Sequence, residues 1–494
     1  MMHHLPILQV IVPLMAAPFV ALLRGRDAAW AVTTLVTGLS FAISILLYLQ
    51  VTASGQTLIY NLGGWAAPVG IVYVIDAASA LVLPVITGIG FVVTLAARHL
   101  VSAEIAARDH ALFYTAWLLT LAGMIGQVTT GDAFNIFVFL EISSLSAYAL
   151  VAMGAGRDRR ALPAAFNYLV LGTVGATFYV IGLGLLYMLT GTLNLEDLHV
   201  RLADVEQTRA VFAAMAFIAL GLFLKIAIFP LHFWLVPAYS YAPSAVSALM
   251  AATATKVSIY VLIRVMFGVF GYSFMGVSDG LGTLLLALGI AGAFAGTLAA
   301  ILETDLKRLF AQSSIAQLGY MAIGIGILTP AGLAAAFLHL FNHALMKGAL
   351  FLAVGIIGAQ GGRATLKSIE GAGRQIPMTM TAILFGGLAL IGVPLTAGFI
   401  SKLYLVRALI ESDLWMLAAL TFVSSALALA YVWKIVEAAW LKPRPENAPI
   451  LRETPIIWGP AWILILATFG FGIFAGPLVE SAFAAAQLFF GGGA

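Results

Sequence analysis

The chain has 494 residues, 62% of them hydrophobic and only 9% charged, with a formal net charge of +3. Soluble domains carry about 45–50% apolar and about 25% charged residues, so an ordinary soluble protein, a disordered chain and a nucleic-acid binder are all excluded. There is no cysteine, which removes disulfides, thiolate nucleophiles and Cys-ligated iron–sulfur clusters.

A membrane span needs about 20 mostly apolar residues. Apolar runs bounded by charge, Gly or Pro predict an all-α polytopic membrane protein with about fourteen spans. These are residues 5–23, 31–51, 71–97, 111–129, 132–154, 164–190, 211–229, 244–270, 281–302, 309–328, 331–358, 378–409, 414–434 and 456–483. The first run lacks a basic leader and reads as a retained span rather than a signal peptide. Odd-numbered loops carry sixteen basic residues: Arg24, Arg26, Arg98, Arg108, Arg157, Arg159, Arg160, Lys307, Arg308, Arg363, Lys367, Arg374, Lys434, Lys442, Arg444 and Arg452. Even-numbered loops carry two, Arg201 and Arg209. The positive-inside rule therefore puts the odd loops in the cytoplasm and both termini outside the cell (inner) membrane. Residues 195–209 read as a short outer amphipathic helix. Residues 434–455 read as an amphipathic cytoplasmic segment along the membrane face, for bracing or partner contact.

A Lys, Asp or Glu at the bilayer centre costs about 2.5–3.5 kcal/mol on insertion scales. Inside the expected spans lie Glu141, Lys225, Lys256, Arg264, Lys347, Lys402 and Arg407, with His339 and His343; Asp76 and Asp132 sit near span ends. Arg264, Arg407, Asp76 and Asp132 are expected to be static pairs or snorkelling groups. Glu141, Lys225, Lys256 and Lys402 lie near mid-span, flanked by apolar residues, where a wet path with partners inside the bundle is the physical default. Burial and a nearby carboxylate pull a lysine's proton affinity in opposite directions. A Glu–Lys pair can therefore hold or release a proton as the partners move. His339, His343 and Lys347 recur at i, i+4 and i+8, along one helix face, and span roughly 12 Å. Three titratable groups on one stripe predict a proton ladder. The His pair has no adjacent third ligand, so no metal is expected, and no cofactor.

Two spans are interrupted beside a lysine. Residues 224–234 read Leu-Lys225-Ile-Ala-Ile-Phe-Pro230-Leu-His-Phe-Trp234, and residues 391–402 read Ile-Gly-Val-Pro394-Leu-Thr-Ala-Gly398-Phe-Ile-Ser-Lys402. Pro230, Pro394 and Gly398 are expected to break these helices, which a membrane tolerates only beside protein or a wet cavity. The two spans are five apart and hence oppositely oriented, the signature of an inverted repeat. The expected organisation is peripheral spans 1–3 (1–110), a first five-helix unit (111–270), a second inverted unit (281–434), then a cytoplasmic segment and a last span (435–494).

These motifs resemble the antiporter-like subunits shared by respiratory complex I, membrane-bound hydrogenases and Mrp-type multisubunit sodium/proton antiporters. The resemblance rests on Gly131-Asp-Ala-Phe-Asn-Ile-Phe-Val-Phe-Leu-Glu141, Lys225 to Trp234, Ala242-Pro-Ser-Ala-Val-Ser-Ala248 and Thr255-Lys256-Val-Ser-Ile-Tyr260. It continues in Asp305-Leu-Lys-Arg-Leu-Phe-Ala-Gln-Ser-Ser314, Gln317-Leu-Gly-Tyr320, Asn342-His-Ala-Leu-Met-Lys347 and Gly398-Phe-Ile-Ser-Lys402. Lysine at 402 and the chain length resemble the D-type subunits of Mrp antiporters. Val236 before Pro237, Ser258 after Lys-Val and Gln312 before Ser-Ser depart from the common pattern and leave the charged positions intact.

The resemblance implies fourteen helices with two inverted five-helix units. It also implies a polar axis through Glu141, Lys225, Lys256, His339, His343, Lys347 and Lys402. It implies a proton-translocating subunit of a multisubunit cation (sodium)/proton antiporter, an ion transporter and not an enzyme, with other membrane subunits as partners. Sodium prefers oxygen ligands, and a row of mostly nitrogen bases points to protons here, with sodium handled elsewhere in the complex. The alternatives are a proton-pumping subunit of complex I or a hydrogenase, a non-conducting structural subunit, and a subunit of an inorganic-carbon uptake system.

Overall fold

The computed structural model describes residues 2–23, 25–205, 208–271 and 280–491. Arg24 of the basic loop residues, and residues 206–207 of the 195–209 segment, lie outside them. Apolar sequence with satisfied backbone means helix in a bilayer, and the chain is nearly all helical. In order come α1 (Leu5–Ala21), α2 (Arg26–Ser54), α3 (Ala77–Glu104), α4 (His110–Thr129), α5 (Ala133–Ala152) and α6 (Ala161–Thr190). Then follow α7 (Leu195–Leu202), α8 (Thr208–Ile226), α9 (Leu235–Tyr241), α10 (Ser244–Ala252), α11 (Ala254–Val265), α12 (Gly280–Leu302) and α13 (Leu306–Gly326). The series ends with α14 (Pro330–Gly361), α15 (Pro377–Ile391), α16 (Ala397–Glu411), α17 (Trp415–Val436), α18 (Pro455–Ile473) and α19 (Gly476–Gln487).

Eleven helical stretches among the described residues are long and apolar enough to cross a membrane. The other three expected spans miss that standard for separate reasons. α1 has 17 residues. α13 is more polar, opening with Lys307 and Arg308 and carrying Gln312, Ser313, Ser314 and Gln317. The twelfth span is divided into two helices of 15 residues each.

Two expected boundaries are corrected. The third span begins as a strand: β1 (Leu58–Asn61) pairs antiparallel with β2 (Val72–Ile75), Leu58 opposite Ile75. Val-Tyr-Val-Ile is β-branched and aromatic, and α3 starts only after Asp76, whose side chain and that of Ser79 form a reciprocal capping box. The last span is two helices, α18 and α19, parted at residues 474–475. In the segment 434–455 helix runs only to Leu441. Residues 442–454 hold no helix, because Pro443, Pro445 and Pro449 remove donors and fix φ.

The core of the bundle is α10–α11 and α14. In each, 94% of the apolar window is buried, against 39% in α2, α6, α12 and α17 and 28% in α18. The outer helices instead expose Leu35, Phe166, Met188 and Phe422, the apolar surface that suits lipid. Close helix approach rests on small residues: a side chain at Gly175 of α6 or Gly221 of α8 would strike the other's backbone, and so would one at Gly289 of α12 or Gly319 of α13.

In the spans that carry the buried lysines, helix breaks fall at both expected prolines and at a third place. α8 stops at Ile226, Ala227 takes a left-handed φ of 65°, and Pro230 follows in the turn. α15 stops at Ile391, Gly392 takes φ 89°, and the chain restarts at Ala397 beyond Pro394. Gly398 is not part of that break; it lies one residue inside α16, where a side chain would collide with the Ala389 carbonyl. The unforeseen third break is at Thr253, between α10 and α11.

Candidate functional site

Glu141 projects from α5 toward Lys225 in the last turn of α8, 3.5 Å from its ammonium. Lys225 also donates to Ser144 Oγ at 2.8 Å and Tyr148 Oη at 3.4 Å. Glu141, Ser144 and Tyr148 are spaced i, i+3 and i+7, so one face of α5 supplies the whole cradle. The cradle is rigid because the aromatic groups stack: Tyr148 meets Tyr168 edge-on at 4.5 Å, and Tyr168 stacks on Trp234 at 4.3 Å. Trp234 in turn donates to Leu224 O at 2.8 Å, a carbonyl in the last turn of α8 that also accepts from Ala227 N at 3.3 Å. The aromatic stack beside the lysine is thus tied to the end of α8.

Beside this pair lies a cavity of about 30 Å³, bordered by Thr120, Gln127, Ser143, Lys225, Ala254 and Ser258. That is room for one or two water molecules among polar partners. It lies between Lys225 and Ala254 and Ser258 of α11, the helix whose first turn holds Lys256. Lys256 turns back across the Thr253 break and donates to the Ala251 carbonyl at the end of α10, with Thr255 Oγ1 at 3.4 Å.

The three groups of the expected ladder all lie on α14. His339 and His343 stack at 6.0 Å with planes 2° apart. His339 Nδ1 is hydrogen-bonded to Ser401 Oγ at 2.9 Å. His339 Nε2 and both ring nitrogens of His343 have no hydrogen-bond partner among the described residues, though they are buried. Lys347 donates to Phe310 O at 2.7 Å and Ser313 Oγ at 2.5 Å, both on α13. Lys256, Lys347 and Lys402 all lie within electrostatic reach of His343. Lys402 donates to Leu390 O at 2.5 Å, Ile391 O at 3.2 Å and Ser425 Oγ at 2.7 Å, and lies 5.0 Å over the Tyr320 ring. Lys225, Lys256, Lys347 and Lys402 are at most 8% exposed. Burying four ammonium groups is costly unless each is hydrogen-bonded or paired, and each one is.

The remaining charges pair with one another or cap helices. Arg264 clasps Asp76 at 2.5 and 2.8 Å and donates to Tyr260 Oη, while Asp76 caps α3. Arg407 pairs with Glu411 one turn on, both exposed. Asp132 caps α5 by accepting from Asn135 N at 2.7 Å.

Four contact groups escape a reading of the sequence: Ser144, Tyr148, Ser401 and Ser425. The first two carry a usable signal, as polar residues at helical spacing from Glu141. The serines on α16 and α17 carry none, because nothing local ties a hydroxyl to a lysine or histidine on another helix.

Residues 130–428 match the family described as NADH:quinone oxidoreductase/Mrp antiporter, transmembrane. The chain is 38% identical to the N subunit of the NADH-quinone oxidoreductase of Desulforudis audaxviator, over 90% of this chain and 88% of that one. It is 31% identical to the D subunit of the Na(+)/H(+) antiporter of Alkalihalophilus pseudofirmus, over 97% and 96%. A chain of the Mrp complex from a Dietzia species superposes with a TM-score of 0.90 at 26% identity, covering 99% of this chain and 98% of that one. The protein is thus a multi-pass, antiporter-like membrane subunit and belongs to the NADH:quinone oxidoreductase/Mrp antiporter transmembrane family.

Proposed function

We propose that the chain is the proton-translocating, D-type component of a multisubunit sodium/proton antiporter. In this reading protons move along Glu141, Lys225, Lys256, the α14 stripe of Lys347, His343 and His339, and Lys402, and sodium is carried elsewhere in the complex. The observation that supports the reading is the row of titratable groups set inside the bundle on α5, α8, α11, α14 and α16. Lys225 of the Glu141–Lys225 pair borders a small cavity of mixed polar and apolar lining that α11 also borders, and α14 carries two buried imidazoles with ring nitrogens that lack a hydrogen-bond partner among the described residues. Protonating Lys225 favours its pair with Glu141; losing the proton frees Glu141 and alters the field at the next base. The loops rich in Lys and Arg lie on the cytoplasmic side of the inner membrane in this reading, with both termini outside. Residues 111–270 and 281–434 act as oppositely oriented units, with 1–110 and 435–494 around them.

The test is proton flux in vesicles holding the intact complex. Glu141→Ala and Lys225→Ala are expected to abolish sodium-dependent dissipation of a pH gradient. Wild-type flux in either would show that the chain is a non-conducting scaffold. The 38% identity to a quinone oxidoreductase subunit supports a second reading, a proton-pumping component of a redox complex. Mass spectrometry of the purified assembly separates the two: iron–sulfur partners would replace the antiporter reading with the redox one.

A further inference from the structure

Two helices of the axis share an arrangement that no other part of the row has. α10, with nine residues, and α15, with fifteen, both start on the side of the basic loops and end beside a buried lysine. Lys256 donates to the C-terminal end of α10 at Ala251 O. Lys402 donates to the C-terminal end of α15 at Leu390 O and Ile391 O. At the opposite end each helix is capped from elsewhere in the chain. Glu104, at the end of α3, accepts from Ser244 N at 2.5 Å and Ser244 Oγ at 2.6 Å, and its side chain is only 4% exposed. Glu453, in the strap of residues 442–454, accepts from Met378 N at 2.9 Å and from Thr379 N and Oγ1 at 2.8 Å.

Neither helix caps itself: Pro243 and Ile376, at the N-cap positions, make no side-chain cap. The contrast is with α3, α5, α13, α14 and α16, which carry their own capping Asp or Thr. An anion at the N-terminus and a cation at the C-terminus is the arrangement a helix dipole favours at both ends. Helices of about 13 and 22 Å shift as rigid pieces, so an axial displacement at the cap arrives at the carbonyls that hold the lysine.

The strap that presents Glu453 is itself tied down. Arg444 donates to Ser368 O, Glu370 O and Pro449 O, and Gln360 exchanges two hydrogen bonds with the backbone of Arg452.

We propose that Glu453 and Glu104 are positioning residues for Lys402 and Lys256: each fixes, from outside the axis, the short helix whose carbonyls cradle the lysine. This rests on the transport reading above. It means that whatever moves the strap or the end of α3 adjusts the cradle without touching the lysine.

The test measures proton flux per assembled complex in proteoliposomes, with assembly quantified on native gels. Glu453→Ala is expected to lower flux about tenfold, the scale of a lost helix cap; if that variant does not assemble, Glu453→Gln, which keeps one accepting oxygen, is read in its place. The chain has no cysteine, so Glu453→Cys with Met378→Cys gives a unique pair. Bridging the pair with a short bifunctional thiol reagent restores position without charge, and is expected to recover most of the flux, with the treated wild-type complex as control. Wild-type flux in the Glu453 variant, or no recovery on bridging, overturns the proposal for Lys402; wild-type flux in Glu104→Gln overturns it for Lys256. Lys402→Ala provides the reference. Flux lost there with Glu453 silent sinks this inference alone, whereas wild-type flux in Lys402→Ala sinks the transport reading and this inference together.

Discussion

Lys225 and Lys402 both stand at broken helices, yet they are held by different chemistry. Lys225 precedes its break and faces a carboxylate, Glu141, at 3.5 Å. Lys402 follows its break and faces two backbone carbonyls and a serine. Among the described residues no Asp or Glu lies within ion-pair distance of Lys256, Lys347 or Lys402. The first lysine's counter-charge is thus a side chain that can itself take up the proton. For the other three it is the fixed dipole of a helix end or a lone carbonyl. A carboxylate can change state during a cycle; a helix terminus can only change place. Proton affinity at Lys225 is therefore set by chemistry, and at Lys402 by geometry.

The sharpest way to break this contrast is to remove the side-chain counter-charge. Glu141→Ala leaves Lys225 as a buried cation without its carboxylate, which costs about 3–5 kcal/mol for a broken buried pair. Flux is expected to vanish and thermal stability of the complex to fall. Adding Lys225→Met should restore much of the stability and none of the flux, since a matched apolar pair is tolerated where a lone charge is not. If the double variant were as unstable as the single, the pair would not be the coupled unit that its geometry describes.

Lys225→Arg comes next. Guanidinium keeps the charge and its pairing with Glu141 but does not release a proton in proteins. Flux is expected to fall at least about a hundredfold with stability near wild type, read by pH-gradient dissipation and thermal melting of the same preparation. Normal flux would show that the group at 225 is a counter-ion only.

A smaller effect separates the two cradles. Ser425→Ala removes one of three partners of Lys402, and Ser425 also donates to Ile391 O at 2.7 Å. A hydrogen bond to a charged group contributes about 1.5–3 kcal/mol, so flux is expected to drop about tenfold or more. Ser144→Ala removes a 2.8 Å partner of Lys225 but leaves Glu141 and Tyr148, so its effect should be severalfold smaller. Equal effects would erase the distinction between a cradle with a carboxylate and one without.

Much of this site is legible because charge in an apolar chain is conspicuous. All seven axis residues stand out by their depth in a span, and the structure buries four lysines and two histidines among them. The breaks at Pro230 and Pro394 are legible because proline cannot continue a helix. Thr253 is not, because its break goes with an ammonium turning back on the Ala251 carbonyl, a tertiary event with no local signal. The strand at Val72–Ile75 is hidden for another reason: a buried strand and a buried helix turn are equally apolar. Glu104 and Glu453 read as ordinary loop acids, since their role depends on helix ends 140 and 74 residues away.

The smallest expected effect tests whether charge within a span is enough to matter. Arg407 lies five residues beyond Lys402 on α16, about 7.5 Å along the axis, but its side chain is 66% exposed and pairs with Glu411 at 2.7 Å. It faces outward, clear of the carbonyls and hydroxyls that hold Lys402. Arg407→Ala is therefore expected to leave both flux and assembly at wild-type levels in the same vesicle assay. A loss of flux comparable to that of Ser425→Ala would mean that position along the helix, and not burial beside a fixed counter-charge, decides which groups carry protons. The contrast between Lys225 and Lys402 would then have to be redrawn around a charge at the rim of the bundle.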